Sequence, residues 1–404
     1  MLKSYVVIST CTHFSLTLPF QTHRLTRIQD VPSLIHYPQR TSPRTDPPHY
    51  RTTYRLATVL TLPLTLSLLL FWAFSHRNPT LVIYYDFLPL SYLVFLALIF
   101  VVPIRRFSLS GRKRFLATLR RVSVGGLAQS HDGKFGDILL ADVLTSYGKI
   151  IADLFVAICM YFQHNGSATR RPDRGCGGQY LVPIIIAIPS MIRFRQCMIE
   201  YFRVRANPTI SSGWGGQHLA NAAKYCSAFP VIILSALQRN LSHNHGTIGV
   251  SEATLYHLWV FAVAFNSFYS FYWDVAKDWD LTLFSAISQS STSSSVPHLS
   301  GNFPYGLRPR LLLGSPNIYY SVIVLDLLLR CTWSLKLSPH LDHFADFESG
   351  IFLMEFLEVG RRWMWIFFRV ETEWVRSTSS HGLGGPGPDD ILLDGYNSGK
   401  EDDD

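Results

Sequence analysis

Long apolar runs broken by short polar stretches dominate the chain, and their lengths set the elements. A membrane-spanning helix needs roughly 17 to 25 mostly apolar residues. Two runs meet this almost without charge: "LATVLTLPLTLSLLLFWAF" over 56–74 and "LVIYYDFLPLSYLVFLALIFVVP" over 81–103. A short turn containing Asn78 and Pro79 joins them. Six more, near 138–162, 179–196, 219–238, 253–274, 316–337 and 350–369, are apolar but carry polar residues. The pattern predicts an all-α fold, a polytopic transmembrane helical bundle of about eight spanning helices. Pro183 and Pro189 inside the fourth run predict a kinked helix, since neighbours in a bundle can satisfy the freed carbonyls.

Composition points the same way. Of 404 residues, 48% are hydrophobic and only 16% charged, against about 25% charged in soluble domains. The net charge of +8 is read by its distribution rather than as a nucleic-acid signal. Seven Lys and Arg lie in the first 55 residues, and eight lie between Arg105 and Lys134. The positive-inside rule makes both segments cytosolic. Alternation then places 163–178 and 239–252 in the lumen, where Asn165 and Asn240 open glycosylation sequons. The six cysteines form no CxxC pair. They predict no zinc site and no disulfide framework, and most read as small buried hydrophobes. Neither a metal site nor a cofactor is expected, because the histidines show no HExxH spacing and the Gly clusters lack Walker or Rossmann spacing.

Charge inside the later runs changes the picture. An ionisable group at the centre of a span costs about 2.5 to 3.5 kcal/mol on insertion scales, and so marks a functional candidate. The candidates are Asp142, Asp153, Lys224, Asp326, Arg330, Glu355, Glu358, Arg361 and Arg362. Asp326 and Arg330 are four apart with the acid first, the better order for a helical pair. Glu358 stands three and four residues before Arg361 and Arg362, in the same order. The stretch "FYSFYWDVAKDWDL" ends a spanning run with Asp274 and Asp278 four apart, two like charges at the end where the helix dipole disfavours them. Those penalties predict basic partners on other helices, with Lys224, Arg330, Arg361 and Arg362 as the well-buried choices. Asp280 reads as surface. Such a concentration of Lys and Arg suits an anion, since Arg holds phosphate oxygens bidentately and Lys supplies a point charge. Paired acids would weaken that grip enough for release.

Six blocks then carry a resemblance: "GDILLADVLTSYGKIIADLF", "IPSMIRFRQCMIEYF", "HLANAAKYCSAF", "SFYWDVAKDWDL", "YYSVIVLDLLLRCTWSL" and "EVGRRWMWIFFRVETEW". In this order the chain resembles the EXS-domain family over roughly 135–375. The resemblance implies phosphate export through a helical membrane core. Larger members, the retrovirus-receptor phosphate exporters, add a cytosolic SPX domain, for which the first 55 residues are expected to be too short. The likeness is therefore to the short fungal Golgi members needed for retention of lumenal proteins and for glycosylation. By motif position the resemblance places a phosphate site on Asp142, Lys224, Tyr225, Asp274, Asp278, Arg330, Arg361 and Arg362, with Trp333 as a gate.

The expected organisation is a cytosolic segment over 1–55 with a weak hydrophobic stretch, a hairpin over 56–104, and a basic loop over 105–136. The EXS core follows over 137–375, and an acidic, disordered tail over 376–404. The expected partners are inorganic phosphate, membrane lipids and Golgi glycosyltransferases or their sorting adaptor; a homodimer is left open and nucleic acid is not expected. The main expectation is a phosphate transporter or channel of the Golgi membrane returning lumenal phosphate to the cytosol. The alternative is a trafficking factor that retains resident proteins without transport. No catalytic dyad or metal motif supports an enzyme.

Overall fold

The computed structural model describes residues 49–76, 78–107, 109–129, 133–163, 175–176, 180–206, 214–244, 251–284, 305–332 and 348–381. The described elements are helical, as the run pattern predicts. Helix α1 (His49–Ser75) begins the chain's first apolar hairpin. The Asn78 side chain then accepts from the Thr80 amide and Pro79 starts α2 (Pro79–Tyr84), the usual arrangement at a helix start. The second run is not one helix. Pro89 has no N–H to give the Tyr85 carbonyl, so the ladder breaks at Tyr85–Asp86 and α3 (Phe87–Val101) continues the span. Buried Leu56, Leu60 and Ile99 fasten α1 to α3, and the Tyr92 hydroxyl donates to the Leu60 carbonyl (2.9 Å) near the turn opened by Pro63. Leu62, Leu66 and Leu69 on α1 and Val94 and Leu98 on α3 face outward. An apolar exterior of this kind suits lipid.

Part of the expected basic loop is helix α4 (Leu109–Arg120), followed by a π-helical turn, Arg121–Gly125. Buried Arg112 folds back on the end of α3, donating to the carbonyls of Ile99, Val102, Ile104 and Phe107. One guanidinium thus ties the last turn of α3, where Ile99 has no intrahelical donor, to the turn that follows it.

The remaining helices form the charged part of the bundle. They are α5 (Lys134–Phe162), α6 (Leu181–Ala206), α7 (Gly216–Cys226), α8 (Ala228–Asn244), α9 (Glu252–Trp273), α10 (Pro316–Arg330) and α11 (Glu348–His381). Among the described residues five stretches are long and apolar enough to cross a membrane: Tyr54–Ser75, Thr80–Val101, Lys134–Phe162, Leu181–Ala206 and Gly216–Arg239. Aromatic residues in α9 and charges in α11 lower their apolarity, and α10 has only 15 described residues.

Helix α5 packs closely on α6 because Gly148 lies against the Ile186 carbonyl, which a Cβ there would meet at 2.9 Å. Pro189 in α6 lies beside the same contact. Helices α5 and α11 also pack together and run antiparallel, with Ser146 bonded to Glu358 and Lys149 3.4 Å from Glu355.

The two ends of this part differ. One carries basic side chains: Arg121 pairs with Asp137 (2.5 Å), Lys134 with Glu200 (2.6 Å), and Arg195 and Arg203 donate to carbonyls of 122–128. This is the basic end. At the other, Cys159 and Cys176 form a disulfide. That corrects the expectation of buried thiols: Cys176 lies 17 residues on in the following segment, at no spacing that marks a pair in sequence.

Candidate functional site

The charges expected to meet do meet, on helices far apart in sequence. Helix α9 does not stop at Trp273. It continues as a π-helical turn, Asp274–Asp278, closed by the Trp279 amide on the Asp274 carbonyl (2.8 Å). Such insertions re-aim side chains and recur at functional sites. Asp274 is fully buried. Its carboxylate receives Lys224 from α7 (2.9 Å) and Arg330 from α10, and lies 3.5 Å from Arg361 of α11. Lys224 also reaches Asp278 (3.3 Å). The like-charge penalty on α9 is thus offset by cations from three other helices.

Around this centre the lattice extends. Arg330 pairs with Asp326 at the predicted four-residue spacing (3.0 Å), and Arg361 bridges Asp326 (3.1 Å) and Glu358 (2.6 Å). The Tyr225 hydroxyl donates to Asp142, whose carboxylate also receives Arg193 (2.7 Å). Removing one partner from such a buried set strands a charge, at a cost of about 3–5 kcal/mol.

Arg362 breaks the pattern. Its spacing from Glu358 predicts an ion pair, yet Glu358 accepts from Arg361 and Ser146 instead. Arg362 donates to the hydroxyls of Ser146 (2.9 Å) and Thr145 (3.2 Å) and lies 4.7 Å over the Trp365 ring. It is only 7% exposed and forms no ion pair among the described residues. Its third nitrogen, Nη1, is neither bonded nor sealed away from solvent. A guanidinium oriented by hydroxyls, with an open donor and no carboxylate of its own, can accept an anion.

The expectation that Lys224, Arg330, Arg361 and Arg362 are the well-buried cations is too narrow. Arg193, Arg308, Arg369 and Arg376 are buried as well. Arg193 sits in "MIRFRQ", at the end of the run expected to span over 179–196. Arg369 and Arg376 follow Arg362 at intervals of seven, a one-face spacing that could have revealed them. Trp333 and Asn165 lie outside the described residues, as do the serine-rich 285–300 stretch, the segment 1–48 and the tail after 381. Asn240 falls on the last turns of α8, within the segment expected as a lumenal loop. Asp280 is half exposed at the basic end. Among the described residues no group of His, Cys, Asp and Glu has the arrangement of a metal site.

Comparison with known proteins agrees with this architecture. The profile of the EXS family matches residues 3–375. The chain is 34% identical over 278 residues to Protein ERD1 homolog 1 of Schizosaccharomyces pombe, covering 68% of this chain and 66% of that protein. It is 31% identical over 245 residues to Protein ERD1 of Kluyveromyces lactis, covering 60% of this chain and 59% of that one. It is also 29% identical over 300 residues to Solute carrier family 53 member 1 of Mus musculus, covering 70% of this chain and 38% of that one. The chain therefore spans less than two thirds of these relatives' own lengths. The multi-pass helical architecture and the profile match along nearly its whole length give one assignment: the chain belongs to the EXS family.

Proposed function

We propose that the protein is a phosphate transporter or channel of the Golgi membrane, returning lumenal inorganic phosphate to the cytosol. In that role it supports glycosylation and the retention of resident lumenal proteins. The observation that carries the reading is Arg362, a buried cation with an open donor beside a lattice whose other charges are paired. Likeness to a solute carrier supports a small transported solute. The basic end is the cytosolic one by the positive-inside rule. The Cys159–Cys176 disulfide at the opposite end suits an oxidising lumen.

Phosphate reaching Arg362 would meet Nη1 in a guanidinium already oriented by Ser146 and Thr145. Lys224, Arg330 and Arg361 stand nearby, each held by Asp274, Asp326 or Glu358. A phosphate oxygen competes with those carboxylates, so it is held and then released rather than trapped. Asp142, Tyr225 and Asp278 orient the lattice, and Trp333 gates it. Membrane lipids surround the bundle. Glycosyltransferases or their adaptor, and a second copy of the chain, belong to the same reading as partners of the whole protein.

The test is flux of labelled phosphate into liposomes holding the purified protein under a phosphate gradient. Wild type should conduct. Arg362→Gln, folded by thermal unfolding and gel filtration, should lose roughly 10- to 100-fold in flux, the worth of a charge-assisted contact. A silent wild-type protein, or an Arg362→Gln variant with full flux, overturns the reading. Retention of resident proteins that survives every substitution in the lattice would move the function to the loops.

A further inference from the structure

Helix α11 carries three buried arginines at one spacing. Arg362, Arg369 and Arg376 are seven residues apart and 7%, 9% and 8% exposed. Seven residues are two turns, about 10.5 Å of helix, so the three share one face and step toward the basic end. The neighbours of α11 confirm the direction. Arg362 lies against Thr145 and Ser146 in mid-α5, whereas Arg369 lies 5.3 Å over the ring of Phe135 in the first turn of α5. Arg376 reaches the Lys277 carbonyl (3.2 Å) and comes within 3.5 Å of half-exposed Asp280.

The middle arginine has little structural reason to be there. Its one hydrogen bond is Nη1 to Glu373, four residues later, at 3.2 Å. In that pair the cation precedes the acid, the poorer order for stabilising a helix and the reverse of Asp326–Arg330. Nε and Nη2 have no bonded partner and are not sealed from solvent. Asp142 and Asp278 act on the guanidinium through space without pairing with it. A cation this buried is usually paired within the protein rather than leaving two nitrogens to solvent. Open donors on a buried guanidinium leave room for an anion's oxygens.

Resting on the transport reading above, we propose that Arg369 is a second anion-binding station, two helical turns from Arg362 toward the basic end. Phosphate occupies it on the way between the central lattice and the cytosol. Glu373 is its built-in competitor: it holds the guanidinium when the station is empty and yields it when phosphate arrives. Arg376, engaged by a backbone carbonyl and Asp280, marks the outer end of the same face.

Two variants that break one ion pair separate a station from a structural contact. Flux is read in vesicles sorted by a C-terminal tag, which marks the basic end because α11 leaves there, and phosphate is presented at that face. Arg369→Gln should raise the half-saturating phosphate concentration about 10-fold or more. Glu373→Gln should lower it several-fold by removing the competitor, and Arg369→Lys should fall between wild type and Arg369→Gln. If the pair only braced the helix, Arg369→Gln and Glu373→Gln would shift in the same direction or leave the concentration unchanged, and either result overturns the station. Should Arg369→Gln fail to fold, Glu373→Gln and Arg369→Lys decide alone. Arg362→Gln runs beside them: if it abolishes flux while the Arg369 and Glu373 variants match wild type, only the station fails. A silent wild-type protein removes both readings.

Discussion

Two buried arginines in this bundle have opposite surroundings. Arg308, at the basic end, has Nε and Nη1 engaged by hydrogen bonds and Nη2 by an ion pair. It donates to the carbonyls of Arg310 (3.1 Å) and Trp279 (3.0 Å) and to Thr372 (2.6 Å), and it pairs with Glu371. Glu371 in turn accepts from the Tyr319 hydroxyl and the Leu312 amide. Around this lock sits the largest apolar cluster among the described residues, with Trp279, Leu307, Tyr319 and Trp365. Arg362, in mid-bundle, is as well buried but touches only hydroxyls and an aromatic ring and keeps one donor open. Burial and charge are alike at the two sites. What differs is saturation: a guanidinium whose donors are used holds the fold, and one whose donors are free can hold a ligand. Arg112, spent on four carbonyls of α3 and its following turn, belongs with Arg308.

The sharpest break in this comparison is at Asp274. Asp274→Ala leaves Lys224, Arg330 and Arg361 facing one another without their shared acid, a loss on the order of 3–5 kcal/mol. The expected outcome is little folded protein and no flux, measured by gel-filtration yield and liposome uptake. Recovery of well-folded protein would show that the lattice is looser than its geometry indicates.

Arg308→Met is the next largest. It strands Glu371 in the apolar cluster and should cost about 3 kcal/mol or somewhat more. Thermal unfolding should show the loss, yet the molecules that fold should keep the wild-type half-saturating phosphate concentration. A change in that concentration would place Arg308 on the path and erase the distinction from Arg362.

Much of this was legible from run lengths and spacings, and the misses share a cause. The two charge-poor runs predict the hairpin of α1 and α3, because length and apolarity suffice for a lipid-facing element. The pairs Asp326–Arg330 and Glu358–Arg361 follow from helical spacing, and the crowding of Asp274 with Asp278 demands cations from elsewhere. Spacing could not say which of two adjacent arginines takes Glu358. That depends on Ser146 and Thr145, more than two hundred residues away on α5. The break at Tyr85–Asp86 was hidden because Pro89 sits inside an otherwise unbroken apolar run. The disulfide escaped because Cys159 lies in an apolar helix, and its partner is set by where the following segment folds. Saturation is a property of three-dimensional partners, so no pattern along the chain could separate Arg308 from Arg362.

The smallest expected effect tests the comparison most closely. Replacing a whole buried ion pair by apolar residues of similar size is often neutral or stabilising, because two desolvation penalties disappear with the pair. Arg308→Met combined with Glu371→Leu should therefore restore most of the stability lost in Arg308→Met alone, and flux should stay at wild type. Lys224→Met combined with Asp274→Leu removes one charge of each sign from the central lattice and should give more folded protein than Asp274→Ala, though less than the Arg308 double, because Arg330 still has Asp326 and Arg361 still has Asp326 and Glu358. It should not transport, because Arg330 and Arg361 lose the acid they share and phosphate loses a cation beside Arg362. Both doubles conserve net charge and both delete a buried pair, so a difference in flux alone assigns one pair to the fold and the other to the path. Equal flux in the two doubles would mean that saturation does not separate structural from functional arginines in this bundle.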